Sequence, residues 1–160
     1  MDSTNLDKYD IAILTALQDD ARLSWVELAE RASLSPSSCQ RRVRALEASG
    51  VIAAYQAQLD TKKAGYDVAA FVAVNVERQN FSLAQQFRAA LLRKPEVLEC
   101  HLLSGSIDFM LHVVAVDLRA FGEFIQREIL SLPGVKDATS SIVLEEIKKV
   151  GPTARRSERS

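Results

Sequence analysis

The sequence predicts an α+β chain of two domains: a three-helix helix–turn–helix unit followed by a βαββαβ unit of the ferredoxin-like type. Three observations predict it. Apolar residues recur at helical spacing through the first fifty residues. From Tyr66 onward, strand-like apolar runs alternate with amphipathic helices. Between the two regimes, Lys62, Lys63 and Gly65 mark a loop. Residues 1–50 therefore read as the helical domain, 51–65 as a hinge strand and linker, 66–150 as the second domain, and 151–160 as a disordered basic tail.

Residues 1–6 are expected to be loose, after which Asp7 can cap a helix running to about Asp20, with Ile11, Leu14 and Leu17 facing inward. The stretch from Ser24 to Leu46 then reads as two short helices joined by a tight turn. Ser24 is an N-cap with Glu27 at the capping-box position, and Trp25, Leu28, Ala29 and Ala32 make the apolar stripe. Ser33-Leu34 forms the turn, Ser35 caps the next helix, and Pro36 occupies its first position, where a missing N–H costs nothing. Cys39, Val43 and Leu46 make the buried stripe of that helix, and Gly50 ends it. Val51–Asp60 has strand-like alternation in its second half and suits an arm between domains.

In the second domain, 67–77 is apolar on both faces, with Val68, Ala70, Val72, Val74 and Val76 on one side and Ala69, Phe71 and Ala73 on the other. A helix follows from Ser82, carrying Leu83, Phe87, Ala90 and Leu91, and stops before Pro95. Strands Val97–Leu103 and Ile107–Val116 flank a tight Ser104-Gly105-Ser106 turn. Asp117 caps a further helix with Leu118, Phe121, Ile125 and Ile129 inward, and Pro133-Gly134 leads to a last strand near Val135–Lys148. Two helices can cover one sheet face only. The second face calls for a partner, most simply another copy of the chain in a homodimer.

Composition narrows the function less than the motifs do. The formal net charge is −1, and the first sixty residues carry nine carboxylates against six basic side chains. Any DNA affinity must come from the local placement of arginines. No apolar run resembles a signal peptide or approaches a membrane span, which leads to the expectation of a cytoplasmic protein without a membrane partner. Cys39 and Cys100 are expected as packing residues rather than a disulfide or metal pair. His101 and His112 lack a suitably spaced third ligand, so core or interface positions are expected and no metal site. No nucleophile–base pairing, phosphate loop or paired-acid signature points to catalysis, and no cofactor or catalytic residue is expected.

Opposite the buried stripe of the helix from Pro36 lie Ser37, Arg41 and Arg44, flanked by Ser38 and Gln40. This short cationic face, free of carboxylates until Glu47, suits a recognition helix in a DNA major groove. The spacing equally allows an αα-hairpin with a solvated outer face.

Read in order, the landmarks resemble the Lrp/AsnC (leucine- and asparagine-responsive) regulators over nearly the whole length. They include Leu6-Asp7, the ARLSWVELAERASLSPSSCQRRVRALEASGVI run at 21–52, Pro95-Glu96-Val97, SGSIDFML at 104–111, LPGV at 132–135 and SSIVLEEIK at 140–148. The chain departs from the family in its ending, where Gly151-Pro152 precedes an arginine-rich tail. The resemblance implies a winged or simple helix–turn–helix, a hinge strand, and a C-terminal effector-binding domain of the RAM type (regulation of amino-acid metabolism). It also implies homodimers that assemble into octamers and a small-molecule effector, an amino acid.

On that reading the DNA-binding residues are Ser37, Ser38, Gln40, Arg41 and Arg44, on double-stranded, partly palindromic DNA. Arg42 flanks the core stripe and is expected in an intramolecular salt bridge. For the effector, the turn GSID at 105–108 resembles the family motif. Asp108 would hold the ammonium, while backbone N–H groups near Gly105 and the hydroxyls of Ser104, Ser106 or Ser141 meet the carboxylate. Thr139 joins the set from its place in the polar segment before the last strand. Asp108 fixing the turn and Gly105 supplying a positive φ is the competing expectation. The function expected is a sequence-specific DNA-binding transcriptional regulator whose assembly or DNA binding responds to an amino acid. The alternative is a metabolite-binding regulatory or scaffold module whose helical domain meets a protein.

Overall fold

A computed structural model of the chain describes residues 6–77 and 81–148. It divides into two units, one built on the chain up to Ala57 and one spanning Gln58–Glu146. The expected loose residues before Leu6 and the basic tail 151–160 lie outside the described residues.

In the first unit, side-chain caps set where each helix begins. For α1 (Lys8–Asp19), the Asp7 carboxylate accepts from the backbone N–H groups of Tyr9 and Asp10, and Asp10 accepts from Asp7 N–H in return. For α2 (Trp25–Arg31), Ser24 and Glu27 form the expected reciprocal box. Ser35 Oγ caps α3 (Pro36–Ala48) by accepting from Ser38 N–H at 3.3 Å. Each such cap stabilises its helix by about 1 kcal/mol. The turn between α2 and α3 holds Ser33 at φ 54, a left-handed conformation that hands the chain sharply from one helix to the next.

The three helices close around Ile13, Ala16, Leu28, Ala29, Ala32, Cys39, Val43 and Leu46. Two sequence expectations need correction. The fully buried residues of α1 are Ile13 and Ala16; Leu14 and Leu17 pack against this core half-buried, as expected, while Ile11 is half-buried and not part of it. Trp25 is 45% exposed, because it is the first residue of α2 and lies a turn before Leu28 and Ala29, where the helix meets the core. The expected hinge strand is also absent: residues 53–60 form no ladder, since no other described strand lies alongside to pair with them.

The second unit runs β1 (Val68–Val76), α4 (Phe81–Leu91), β2 (Val97–Leu102), β3 (Phe109–Ala115), α5 (Leu118–Phe124) and β4 (Val135–Ile142). The sheet order is β2-β3-β1-β4 with every neighbour antiparallel. This is the expected βαββαβ plan. Alternate β1 residues Ala70, Val72, Val74 and Val76 meet Leu111, Val113, Phe87, Phe121 and Ile129 in one core between the sheet and the helices. Asp117 caps α5 by accepting from Ala120 N–H at 2.7 Å. The helix then widens into a π segment, Ile125–Ile129, closed by Leu130 N–H on the Ile125 carbonyl. Leu118, expected inward, is 60% exposed. β4 stops at Ile142, six residues short of expectation, because its partner β1 begins only at Val68, one position before the last bond, from Val143 N–H to the Ala69 carbonyl.

The opposite sheet face is uncovered in the single chain. On it Phe71 stacks on its cross-strand partner His112, ring centroids 4.9 Å apart, with Phe71 45% exposed. His101 lies on the same face, exposed, with Nε2 3.1 Å from Glu99 Oε2. Cys39 is core, whereas Cys100 is exposed on the edge strand β2, a position that the apolar run alone does not reveal.

Candidate DNA interface and effector site

The outer face of α3 takes shape from the contrast among its three arginines. Arg42 bridges α3 to the start of α1, its guanidinium 2.8 Å from both Asp7 Oδ2 and Asp10 Oδ1 and 5.4 Å over the Tyr9 ring. The hydrogen bond to Asp10 foremost, with Asp7 adding to it, raises the guanidinium pKa further. The Asp10 backbone N–H foremost, and Arg42 with it, holds Asp7 below the usual carboxylate range. Arg42 is thus the intramolecular tie that its position beside the core stripe suggests. Arg41 and Arg44 are exposed and make no ion pair among the described residues, so their charge is open to a phosphate or base edge. Ser37 is exposed beside them, its hydroxyl 3.3 Å from Ser35 Oγ, while Ser38 and Gln40 are half-buried. The first carboxylate after this face, Glu47, is occupied: Tyr55 Oη donates to it at 2.9 Å, and burial foremost, with Glu47, pushes the phenol up to about 12.

In the second unit, an open cavity of about 680 Å³ lies where β1 ends and β4 begins. It is lined by Asn75, Glu77, Ser106, Asp108, Lys136 and Asp137, with Val76 between them. Asp108 is 9% exposed. The β1–β3 ladder ends at Val74–Phe109, leaving Val76 N–H past its end, and Asp108 Oδ2 accepts it at 3.0 Å. Asp108 N–H in turn donates to Asn75 Oδ1 at 3.2 Å, and Asn75 Nδ2 donates to Asp137 Oδ1 at 3.0 Å. This chain ties three strand ends together, so Asp108 fixes the turn whatever else it does. Gly105 holds φ +134, which an L side chain adopts only with strain.

Of the expected effector residues, Ser106 and Asp108 line the cavity. Ser104 and Gly105 sit in the exposed turn beside it, and Thr139 and Ser141 lie farther along β4, paired with Ala73 and Phe71 on the uncovered sheet face. Sequence reasoning missed Asn75, Glu77, Lys136 and Asp137. A signal existed for the first, an amide in an otherwise apolar strand. Lys136 and Asp137 reach the cavity through a register shift: Asn75 pairs Asp137 but Val76 pairs Val135, so Lys136 is the extra residue of a bulge. Among the described residues, no group of three His, Cys, Asp or Glu side chains could hold a metal, and no helix is long and apolar enough to cross a membrane.

A helix–turn–helix unit with open arginines, followed by an α+β unit with a polar cavity, defines a DNA-binding regulator that carries its own ligand domain. Residues 6–53 match the winged helix-turn-helix DNA-binding model, and 69–153 match the Lrp/AsnC ligand binding domain. The chain belongs to the Lrp/AsnC family of transcription regulators, which are not enzymes. The leucine-responsive regulatory protein of Salmonella typhimurium is 39% identical over 145 residues, covering 91% of this chain and 88% of that one. Among solved structures, a Neisseria meningitidis transcriptional regulator in complex with L-methionine is 40% identical, with TM-score 0.89 over 92% of this chain and 96% of that one. The feast or famine regulatory protein of M. tuberculosis, also complexed with L-methionine, is 32% identical, with TM-score 0.82 over 90% and 95%.

Proposed function

We infer that this regulator lays α3 in the major groove of a partly palindromic DNA site and answers to a free amino acid bound at the second unit. The observation that carries the first half is the division among the arginines: Arg42 is committed to Asp7 and Asp10, while Arg41 and Arg44 face outward with Ser37 beside them. Arg41 and Arg44 would contact base edges or phosphates, and Ser37, Ser38 and Gln40 would support them near the positive end of the helix. Two copies, joined through the uncovered sheet face with Phe71 and His112, would present two such helices to successive grooves. Further assembly to octamers, residues 51–65 as the hinge, and residence on the nucleoid in the cytoplasm complete the reading.

The effector half is supported by the cavity at Asp108 and by the methionine bound in the two neighbours. The turn 104–108 would hold the amino acid, with Thr139 and Ser141 contributing from β4. Binding would shift the assembly or the spacing of the helices, by as much as its affinity differs between the two states. The scaffold alternative is not favoured, because the helical unit matches a DNA-binding model.

The test is binding of the purified protein to its own upstream DNA at two salt concentrations, with and without a mixed amino-acid pool. Specific, salt-sensitive binding altered by the pool is expected. Binding no stronger than to a random duplex would refute the DNA half, and binding indifferent to every amino acid would refute the effector half.

A further inference from the structure

Glu47 is the one acid in α3, and its place on the helix sets it against Arg44. Arg41, Arg44 and Glu47 are exposed and follow one another at intervals of three residues, each about 60° round the helix from the last. Residues three apart on a helix are neighbours, and an arginine and a glutamate so placed form an ion pair. A second feature pushes Glu47 the same way. It lies in the last turn of α3, at the negative end of the helix dipole, where a carboxylate is disfavoured, and that turn holds no basic side chain to answer it. Yet no ion pair joins Glu47 to Arg44 among the described residues. Glu47 Oε1 instead accepts from Tyr55 Oη at 2.9 Å.

Tyr55 reaches Glu47 because the chain beyond Gly50 is laid back along the helical unit. Ile52 N–H donates to the Leu46 carbonyl at 3.1 Å, Val51 and Ile52 pack on the helical core, and the chain up to Ala57 belongs to that unit. Burial foremost, with Glu47, raises the phenol to about 12, so it keeps the proton it donates at ordinary pH.

We propose that Tyr55 is a positioning residue for DNA binding: by holding the Glu47 carboxylate to the chain that leaves α3, it keeps Arg44 free to meet DNA. The proposal rests on the reading of α3 as the recognition helix and adds to it a residue outside that helix. Without the hydroxyl, Glu47 turns to Arg44, and the arginine must give up that pair to reach a phosphate or base edge.

The experiment is gel-shift titration of the full chain on its own upstream DNA, at a temperature where melting curves show every variant folded. The variants are Tyr55→Phe, Arg44→Ala, Tyr55→Phe with Arg44→Ala, and Tyr55→Phe with Glu47→Gln. Tyr55→Phe keeps the half-exposed ring and removes only the donor. It should weaken specific binding roughly two- to fivefold, the size of one exposed ion pair. Adding Glu47→Gln should restore wild-type affinity, because an uncharged amide does not pair with Arg44. In the Arg44→Ala chain, Tyr55→Phe should have no further effect, which assigns the loss to that arginine. Tyr55→Phe binding as tightly as wild type, while Arg44→Ala binds weakly, overturns the proposal and leaves the recognition helix standing. So does a loss that survives Glu47→Gln or that recurs in full in the Arg44→Ala chain, since a tyrosine that only docks the linker acts through neither. Wild-type affinity in Arg44→Ala overturns the contact between Arg44 and DNA, and the proposal with it.

Discussion

Replacing Arg42 with methionine separates a structural arginine from the two proposed to contact DNA. The substitution keeps most of the aliphatic stem and removes the guanidinium that bridges Asp7 and Asp10. The Asp10 carboxylate is 16% exposed, so its loss of a charge-assisted partner costs roughly 1.5–3 kcal/mol. Asp7 is 46% exposed and its interaction is largely screened, contributing below about 1 kcal/mol. The sum is about 1.5–4 kcal/mol, equivalent to a fall of at least about 6 °C in the melting of the helical unit. Circular dichroism at the helix band, followed against temperature and urea, reads it. DNA affinity of the folded variant at low temperature should stay within about threefold of wild type. A loss below about 0.5 kcal/mol, the ordinary size of a surface substitution, would refute the bridge as a structural tie. So would a loss of DNA affinity as large as that of Arg41→Ala in a variant that melts normally. The pH dependence has a definite sign. The folded Asp7 pKa is depressed, so its contribution is present above the unfolded value of about 3.9 and disappears as pH falls through the folded value. In Arg42→Met that acid sensitivity shrinks, leaving the part owed to the Asp10 N–H.

Arg41→Ala and Arg44→Ala should each melt within about 0.5 kcal/mol of wild type yet weaken specific DNA binding by about 1–3 kcal/mol. Where the arginine binds a phosphate, its removal should also flatten the salt slope by about 0.9, and gel-shift titration at several salt concentrations checks both. Asp108→Ala leaves Val76 N–H without its acceptor and should cost about 1–3 kcal/mol in urea unfolding, whereas Asp108→Asn keeps an acceptor and should recover most of it. Loss of amino-acid response in Asp108→Asn at near-normal stability would place the charge itself in effector binding; a normal response would leave Asp108 as a turn-fixing residue. Gly134→Ala should destabilise the second unit by roughly 1–2 kcal/mol, because Gly134 holds φ +82 and an added Cβ would lie 3.0 Å from Leu83 Cβ. Differential scanning calorimetry that finds it as stable as wild type would contradict that geometry.

Sequence alone determined the features whose physics is local. Ser24 with Glu27, Ser35 with Pro36, and Gly50 at φ 75 mark helix ends through hydrogen bonds and dihedrals that span a few residues. The Cys39, Val43, Leu46 stripe, the role of Arg42 beside it, and the order of strands and helices in the second unit follow from periodicity in the same way. Tertiary structure decided which side of a stripe is deepest. Ile13 and Ala16 outrank Ile11 on α1, and Trp25 stays exposed, because the neighbouring helices, not the spacing, select the line along which a helix packs. It also decided where strands stop, since a ladder ends where its partner does. The cavity was the least legible part. Asn75 and Asp137 are 62 residues apart, and Asp108 meets Val76 across 32. Lys136 joins them only because a bulge shifts the register of β4, and a bulge is written in how two distant strands pair rather than in the pattern of either one.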